Sequence, residues 1–204
     1  MPLQNRVTPF GDLAADPARG TLFGNRGGRF HRDDRTLGAR RWASRQWICC
    51  VLDFKGRHRD VWSSGYTELF FLDEPTALAA GHRPCFECRR ADALAFARCW
   101  QQAAAIAQPP RAPQMDAVLH AQRMRRVGEP HSRVAIDGLP DGAFIARDGT
   151  AFALRGRHLL RWSHAGYLDR MARPTGIDVD VLTPPAIIAA LAHGYPPRWH
   201  PSAI

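Results

Sequence analysis

The chain has 204 residues and a formal net charge of +9, which is enough length for a proper core and enough charge to favour an anionic partner. It has no apolar run long enough to cross a bilayer, and residues 1–6 lack the features of a signal peptide. These features exclude a membrane-spanning protein and lead us to expect a cytoplasmic one.

Residues 1–46 read as an irregular basic segment. Four glycines break any periodic pattern in it, at positions 20, 24, 27 and 28, and arginines are scattered between them. Residues 24–28 could present backbone N–H groups to a phosphate. They lack the Lys-Ser/Thr ending of a nucleotide-binding loop, so a plain surface loop is the simpler interpretation.

Residues 47–108 are predicted to form a small domain of strands and helices. Strand-forming residues dominate 47–54, Lys55-Gly56 marks a turn, and 57–62 and 66–72 complete an antiparallel meander. Asp73-Glu74-Pro75 then begins a short helix that Gly81 ends. A longer helix over 91–107 follows, and Cys99 lies on its apolar face, which predicts a buried thiol.

Prolines at 109, 110 and 113 mark a boundary, after which residues 114–204 are predicted to form a second α+β lobe. A helix over 114–126 comes first. The Asp148-Gly149 pair predicts a hairpin within 144–154, and 158–163 and 178–182 are further strands. Thr183 is expected to cap a last helix that runs to Ala192 and ends at Gly194. The predicted fold class is therefore α+β, with a meander and a knuckle followed by a second lobe.

The pattern with the clearest chemistry is Cys85-Phe-Glu-Cys88, a Cys-x-x-Cys turn between two predicted helices. Two thiolates at this spacing can bind one metal ion, and a structural zinc takes four ligands. The upstream candidates are Cys49, Cys50 and His58. Strand alternation directs the two adjacent cysteines to opposite faces, so only one of them can contribute. The alternative is a metal-free turn with core thiols.

Residues 70–89 read Phe-Phe-Leu-Asp-Glu-Pro-Thr-Ala-Leu-Ala-Ala-Gly-His-Arg-Pro-Cys-Phe-Glu-Cys-Arg. This run resembles the second half of the zinc-binding domain of Ada-type DNA-repair proteins. In that family four cysteines hold zinc, and one of an upstream Cys-x-x-x-Cys pair accepts a methyl group from a DNA phosphotriester. The equivalent upstream positions here are Phe54 and His58. The resemblance therefore implies a zinc knuckle and DNA contact without methyl transfer, because Phe54 cannot accept the methyl group.

Arg83, Arg89 and Arg90 flank the knuckle and are the predicted nucleic-acid contacts, since arginine binds phosphate and stacks on bases. A coding bias in a GC-rich genome explains the same arginine excess equally well. The leading hypothesis is an arginine-rich, zinc-containing protein that binds DNA and is linked to its repair or processing. A knuckle that has lost its metal and serves as an interaction module is a further alternative.

A polar stripe on the 114–126 helix supports the other class of function. Helical spacing places Asp116, His120 and Arg123 on one side of this helix. In such an arrangement the carboxylate can orient the histidine as a general base, beside an arginine that binds an anion. The alternative hypothesis is thus an enzyme that acts on a small anionic or phosphate-bearing substrate. An ordinary ion network on the helix surface gives the same pattern.

Overall fold

The computed structural model describes residues 1–57, 60–123 and 132–204. Within these ranges the protein is α+β, as predicted, with four α-helices and two six-stranded sheets. The helices are α1 (Glu74–Ala79), α2 (Arg90–Ala103), α3 (Ala112–Arg123) and α4 (Pro185–Ala192). The strands are β1 (Arg6–Val7), β2 (Leu13–Ala14), β3 (Leu22–Arg26), β4 (Trp47–Val51), β5 (Leu69–Phe71), β6 (Arg83–Pro84), β7 (Ser132–Ala135), β8 (Phe144–Arg147), β9 (Thr150–Arg155), β10 (His158–Ser163), β11 (Gly166–Ala172) and β12 (Asp178–Val181).

The first sheet has the order β2-β1-β5-β3-β4-β6 and is built around β3. Every residue of β3 is buried, and the strand pairs antiparallel with both β4 and β5. The prediction of an irregular segment before residue 47 is therefore wrong, since three strands lie in it. The error arose because the glycines were interpreted as loop residues. A Cβ on Gly24 would lie 2.0 Å from the carbonyl oxygen of Ile48, so this glycine permits close strand pairing.

The predicted meander over 47–72 is also wrong in its pairing. Its first and third strands, β4 and β5, both form. Each of them pairs with β3, and within the described residues neither pairs with the middle strand that was predicted at 57–62. Residues 60–62 carry no strand, and His58 and Arg59 lie outside the described residues. The turn at Lys55-Gly56 is confirmed, because both residues have a positive φ.

The helices that surround the Cys-x-x-Cys turn begin and end near their predicted positions. Asp73 caps α1 by accepting the Thr76 N–H at 3.0 Å, and Gly81 follows the helix with a φ of +79°. Helix α2 packs through Phe96 and Trp100 against α3 and α4 in one core cluster. Cys99 is only partly buried against this cluster, so the prediction of a fully buried thiol is corrected.

The second sheet has the order β11-β10-β9-β8-β12-β7 and is antiparallel throughout. The hairpin of β8 and β9 turns at Asp148-Gly149, whose φ angles of +49° and +71° are those that a two-residue hairpin favours. Thr183 does not cap α4, because its hydroxyl accepts the backbone N–H of Phe144 at 2.8 Å. None of the helices in the described ranges is long and apolar enough to cross a membrane.

The segment after α4, together with Tyr167 of β11, returns to the start of α1 and binds the carboxylates of Asp73 and Glu74. Asp73 accepts the Tyr167 hydroxyl at 2.9 Å and the backbone N–H of His200 at 3.1 Å. Glu74 accepts the Tyr195 hydroxyl at 2.6 Å and the backbone N–H of Arg198 at 2.9 Å. Both carboxylates are fully buried, and burial raises the pKa of Asp73 although the Thr76 hydrogen bonds oppose the shift.

Candidate metal centre

Three cysteines meet beside the edge of the first sheet. The Sγ atoms of Cys50, Cys85 and Cys88 all lie within 4.8 Å of one another. Strand β4 supplies Cys50, and the turn between β6 and α2 supplies the other two. The register is fixed by the parallel pairing of β4 with β6 and by the Cys85 N–H, which donates to the carbonyl of Cys49 at 3.0 Å. The cluster could hold a metal ion.

Cys49 is the neighbour of Cys50 in the chain but faces the opposite side of the sheet. It packs with Leu69 and Phe71 in a separate core cluster, where Arg89 donates to its sulfur at 3.5 Å. Burial raises the pKa of this thiol, so Cys49 is a neutral core side chain. The alternation argument is confirmed, and the structure brings Cys50 to the knuckle.

The three thiols of the cluster form hydrogen bonds that favour a negative charge on one sulfur. The thiols of Cys50 and Cys88 lower the pKa of Cys85 to about 2, and the backbone N–H of Glu87 also donates to the Cys85 sulfur at 3.4 Å. Cys50, as a donor to this thiolate, has a raised pKa. Three thiols this close together suit a cation that replaces their protons.

The donor set fits a thiophilic metal. Sulfur ligands select zinc, copper(I) or iron–sulfur clusters over the hard cations that prefer oxygen. Among the described residues three ligand atoms come together. The fourth predicted ligand, His58, lies outside the described residues.

A cavity of about 310 Å³ opens over the three sulfurs. Its floor is the face of the first sheet that carries Phe23 and Asn25 on β3 and Ile48 and Cys50 on β4. Aromatic rings from the turn after β4, from the segment before β5 and from the Cys-x-x-Cys turn form part of its wall, contributed by Phe54, Tyr66 and Phe86. The three sulfurs therefore lie at one side of a cavity whose other walls include strand residues and aromatic rings.

Two of the three arginines predicted to contact nucleic acid are not on the surface, because Arg83 and Arg89 are buried. Arg83 makes a two-pronged ion pair with Asp116 at 2.8 and 2.7 Å. Arg89 pairs with Glu74 at 2.7 Å, and the side chains of this pair have no exposed area. Only Arg90 of the three is exposed.

The stripe on α3 does not form the predicted acid–base pair. Both oxygens of Asp116 accept from Arg83, so Asp116 does not orient His120. The guanidinium of Arg123 donates to the carbonyls of Gly81 and Arg45, each at 2.7 Å, and lies 4.2 Å from the centre of the Trp47 ring. Burial and the nearby Arg123 lower the pKa of His120, whose ring contacts Trp42 edge-on.

The interpretation of this stripe as a surface ion network is also incomplete, since Asp116 is buried and its partner lies on β6.

Sequence reasoning missed Phe23 and Asn25 of the cavity because residues 24–28 read as a loop. Period-two alternation between Phe23 and Asn25 is the signal that could have placed them on one strand face.

Comparison with known proteins adds no relative: no family model, no curated protein and no solved structure matches the chain.

Proposed function

We propose that the protein is a zinc-containing, nucleic-acid-binding protein whose metal is held by Cys50, Cys85 and Cys88. The observation that carries the metal proposal is the convergence of these three sulfurs from two separate elements of the fold. Zinc suits the set because it accepts thiolates, needs no redox chemistry and adopts the tetrahedral geometry that a strand and a knuckle can supply.

The metal would connect the edge of the first sheet to the start of α2. Cys50 belongs to β4, while Cys88 lies two residues before Arg90, the first residue of α2. Backbone contacts between β4 and β6 are few, because β6 has only two residues. Thiolate–metal bonds would add to this short pairing, so part of the folding free energy should depend on the metal.

Metal analysis of the purified protein tests this part of the proposal. We expect about one zinc per chain, and serine in place of Cys50, Cys85 or Cys88 should remove it, because the hydroxyl is a far weaker ligand than a thiolate. Chelation should lower the melting temperature of the wild-type protein. Cys99→Ser is the matched control, since Cys99 lies on α2 away from the cluster and its loss should leave the metal content unchanged.

Metal content near zero, with a melting temperature that chelators do not change, would contradict the zinc proposal. Equal zinc content in the Cys85→Ser and Cys99→Ser proteins would contradict the ligand assignment.

The nucleic-acid part is supported by the net charge of +9 and by exposed cations around the cavity. Lys55 and Arg57 follow β4, and their charged groups lie 5.2 and 5.4 Å from the centre of the Phe54 ring. Arg90, two residues after Cys88, is exposed at the start of α2. These three side chains replace the buried Arg83 and Arg89 as the proposed phosphate contacts. Methyl transfer is not part of the proposal, because Phe54 stands where the acceptor cysteine of the Ada family is expected.

Titration with single- and double-stranded DNA at several salt concentrations tests the partner. Binding should weaken steeply with salt, because each neutralised phosphate releases about one counterion. Arg90→Glu should weaken binding and reduce the salt slope by about one. Arg170→Glu carries the same charge change on β11 of the second sheet and should have a smaller effect. Absence of binding at low salt, or equal effects of the two substitutions, would contradict this surface as the contact.

A further inference from the structure

The cavity above the cysteine cluster has the features of a ligand site. Its volume of about 310 Å³ is at the lower end of the range for small-molecule sites, roughly 300–1,000 Å³. A cavity of this size is large enough for one heterocyclic group. Its floor is formed by β3, β4 and the sulfur cluster, and loop residues such as Phe54 and Tyr66 form part of its wall.

The wall of the cavity offers flat aromatic faces to a ligand. Phe54 is partly buried, and Tyr66 is 53% exposed although it is a large aromatic side chain. The Arg83 guanidinium lies over the Phe86 ring, 5.4 Å from the ring centre, and both residues line the cavity. Rings in such positions stack on planar groups with little selectivity for the identity of the heterocycle.

The side-chain amide of Asn25 lines the cavity. Asn25 is only 6% exposed, and its side-chain oxygen accepts the backbone N–H of Gly27 at 2.9 Å. Because that bond uses the amide oxygen, the group that Asn25 offers to a ligand is its Nδ2 donor. A ring nitrogen or exocyclic oxygen of a ligand can accept from it.

The surroundings of the cavity favour a ligand attached to phosphates. The charged groups of Lys55 and Arg57 lie over the Phe54 ring, and Arg57 also pairs with Glu87 of the cavity wall at 2.9 Å. Cations outside an aromatic cavity suit a base that is inserted while its sugar–phosphate backbone stays at the surface.

We propose that the cavity binds one unpaired base of a single-stranded nucleic acid, stacked against Tyr66 and hydrogen-bonded by Asn25. This inference deepens the proposed nucleic-acid function and rests on it. The base enters with its acceptor edge toward β3, and the exposed cations hold the flanking phosphates.

The test compares the full-length, metal-loaded protein with two probes of equal length. One is a short single-stranded oligonucleotide, and the other is the same sugar–phosphate backbone without bases. We expect the intact strand to bind at least tenfold more tightly. Tyr66→Ala should weaken binding of the intact strand by about tenfold and leave the abasic strand unaffected, because the lost contact is stacking on a base.

Tyr66→Phe is the rescue variant, since it keeps the ring and should restore the affinity. Leu168→Ala, which removes another exposed apolar side chain on the second sheet, is the matched control and should change neither affinity.

Each other outcome has a distinct meaning. If both strands bind equally and Tyr66→Ala changes neither, the nucleic-acid function stands and the base site is overturned. If free nucleosides saturate the protein at the same concentrations as the oligonucleotide, the base site is also overturned. The ligand of the cavity would then be a small metabolite. If no nucleic acid binds at any salt concentration, the proposed function and the base site are overturned together.

Discussion

The buried acidic and basic side chains around α1 form a saturated network. Glu74 accepts from Arg89, from the Tyr195 hydroxyl and from the backbone N–H of Arg198. Arg89 in turn pairs with Asp92 at 2.9 Å. Charges that are removed from water need such partners, because each unpaired ion in the interior costs several kcal/mol.

Removal of one member of this network should be strongly destabilising. Arg89→Met keeps much of the side-chain volume but leaves the Glu74 carboxylate buried without its cation, and we expect a loss of about 3–5 kcal/mol in the free energy of unfolding. Urea titration measures the change. Arg98→Met, on an exposed position of the same helix, is the control and should stay within about 0.5 kcal/mol of wild type.

A second variant separates the loss of the ion pair from the loss of packing. Adding Glu74→Gln to Arg89→Met removes the uncompensated charge and should recover part of the lost stability. If Arg89→Met behaves like Arg98→Met, the buried ion pair does not support the fold.

The sequence could not identify these buried arginines because their partners are remote. Glu74 lies 15 residues from Arg89, and Asp116 lies 33 residues from Arg83. An arginine beside a Cys-x-x-Cys turn looks solvent-exposed until the fold brings a carboxylate to it. By contrast, strand alternation is a local property, and it predicted that only one of Cys49 and Cys50 reaches the knuckle. It did not say which, because the choice depends on how β4 pairs with β6.

Among the elements of the fold, β3 depends most directly on a single residue. Gly24 lies between β4 and β5, and a Cβ there would meet the Ile48 carbonyl oxygen at 2.0 Å and the Phe71 ring at 3.0 Å. Gly24→Ala should therefore push the strands apart and destabilise the protein by about 1–3 kcal/mol, with weaker zinc retention because Cys50 lies on β4.

Thermal unfolding and metal content measure both effects. Gly138→Ala is the matched control, because a Cβ at that position meets no atom within 4 Å and its φ is not in the left-handed region. Similar melting temperatures for the two variants would contradict the close approach of β4 to β3.

Elements that carry their own end signals were predictable, and elements defined by remote pairing were not. Asp148-Gly149 and Gly81 identify a hairpin and a helix end through backbone conformations that few other residues favour. Strands β1 and β2 have two residues each, too few to show a period. The pairing of β1 with β5 joins Arg6 to Phe70, and no local pattern encodes it.

At the scale of the whole molecule, residues before and after the prolines at 109, 110 and 113 contact each other. These prolines were predicted to mark a boundary between two lobes. Helices α2, α3 and α4 share one core cluster. Trp162 of β10 donates to the Thr76 hydroxyl at 3.1 Å, and the last segment of the chain binds Asp73 and Glu74. The first sheet and the second sheet are thus connected through the segment that contains Asp73, Glu74 and Thr76.

The attachment of the C-terminal segment to α1 has a consequence for the order in which a nascent chain can fold. All three cysteines of the cluster have left the ribosome once Cys88 has emerged, so the residues that could hold a metal ion are available early. Glu74 can pair with Arg89 soon after both are synthesised, but the Arg198 N–H that it also accepts follows 124 residues later. The carboxylate at the start of α1 therefore keeps part of its hydration until a much later stretch of the chain replaces it.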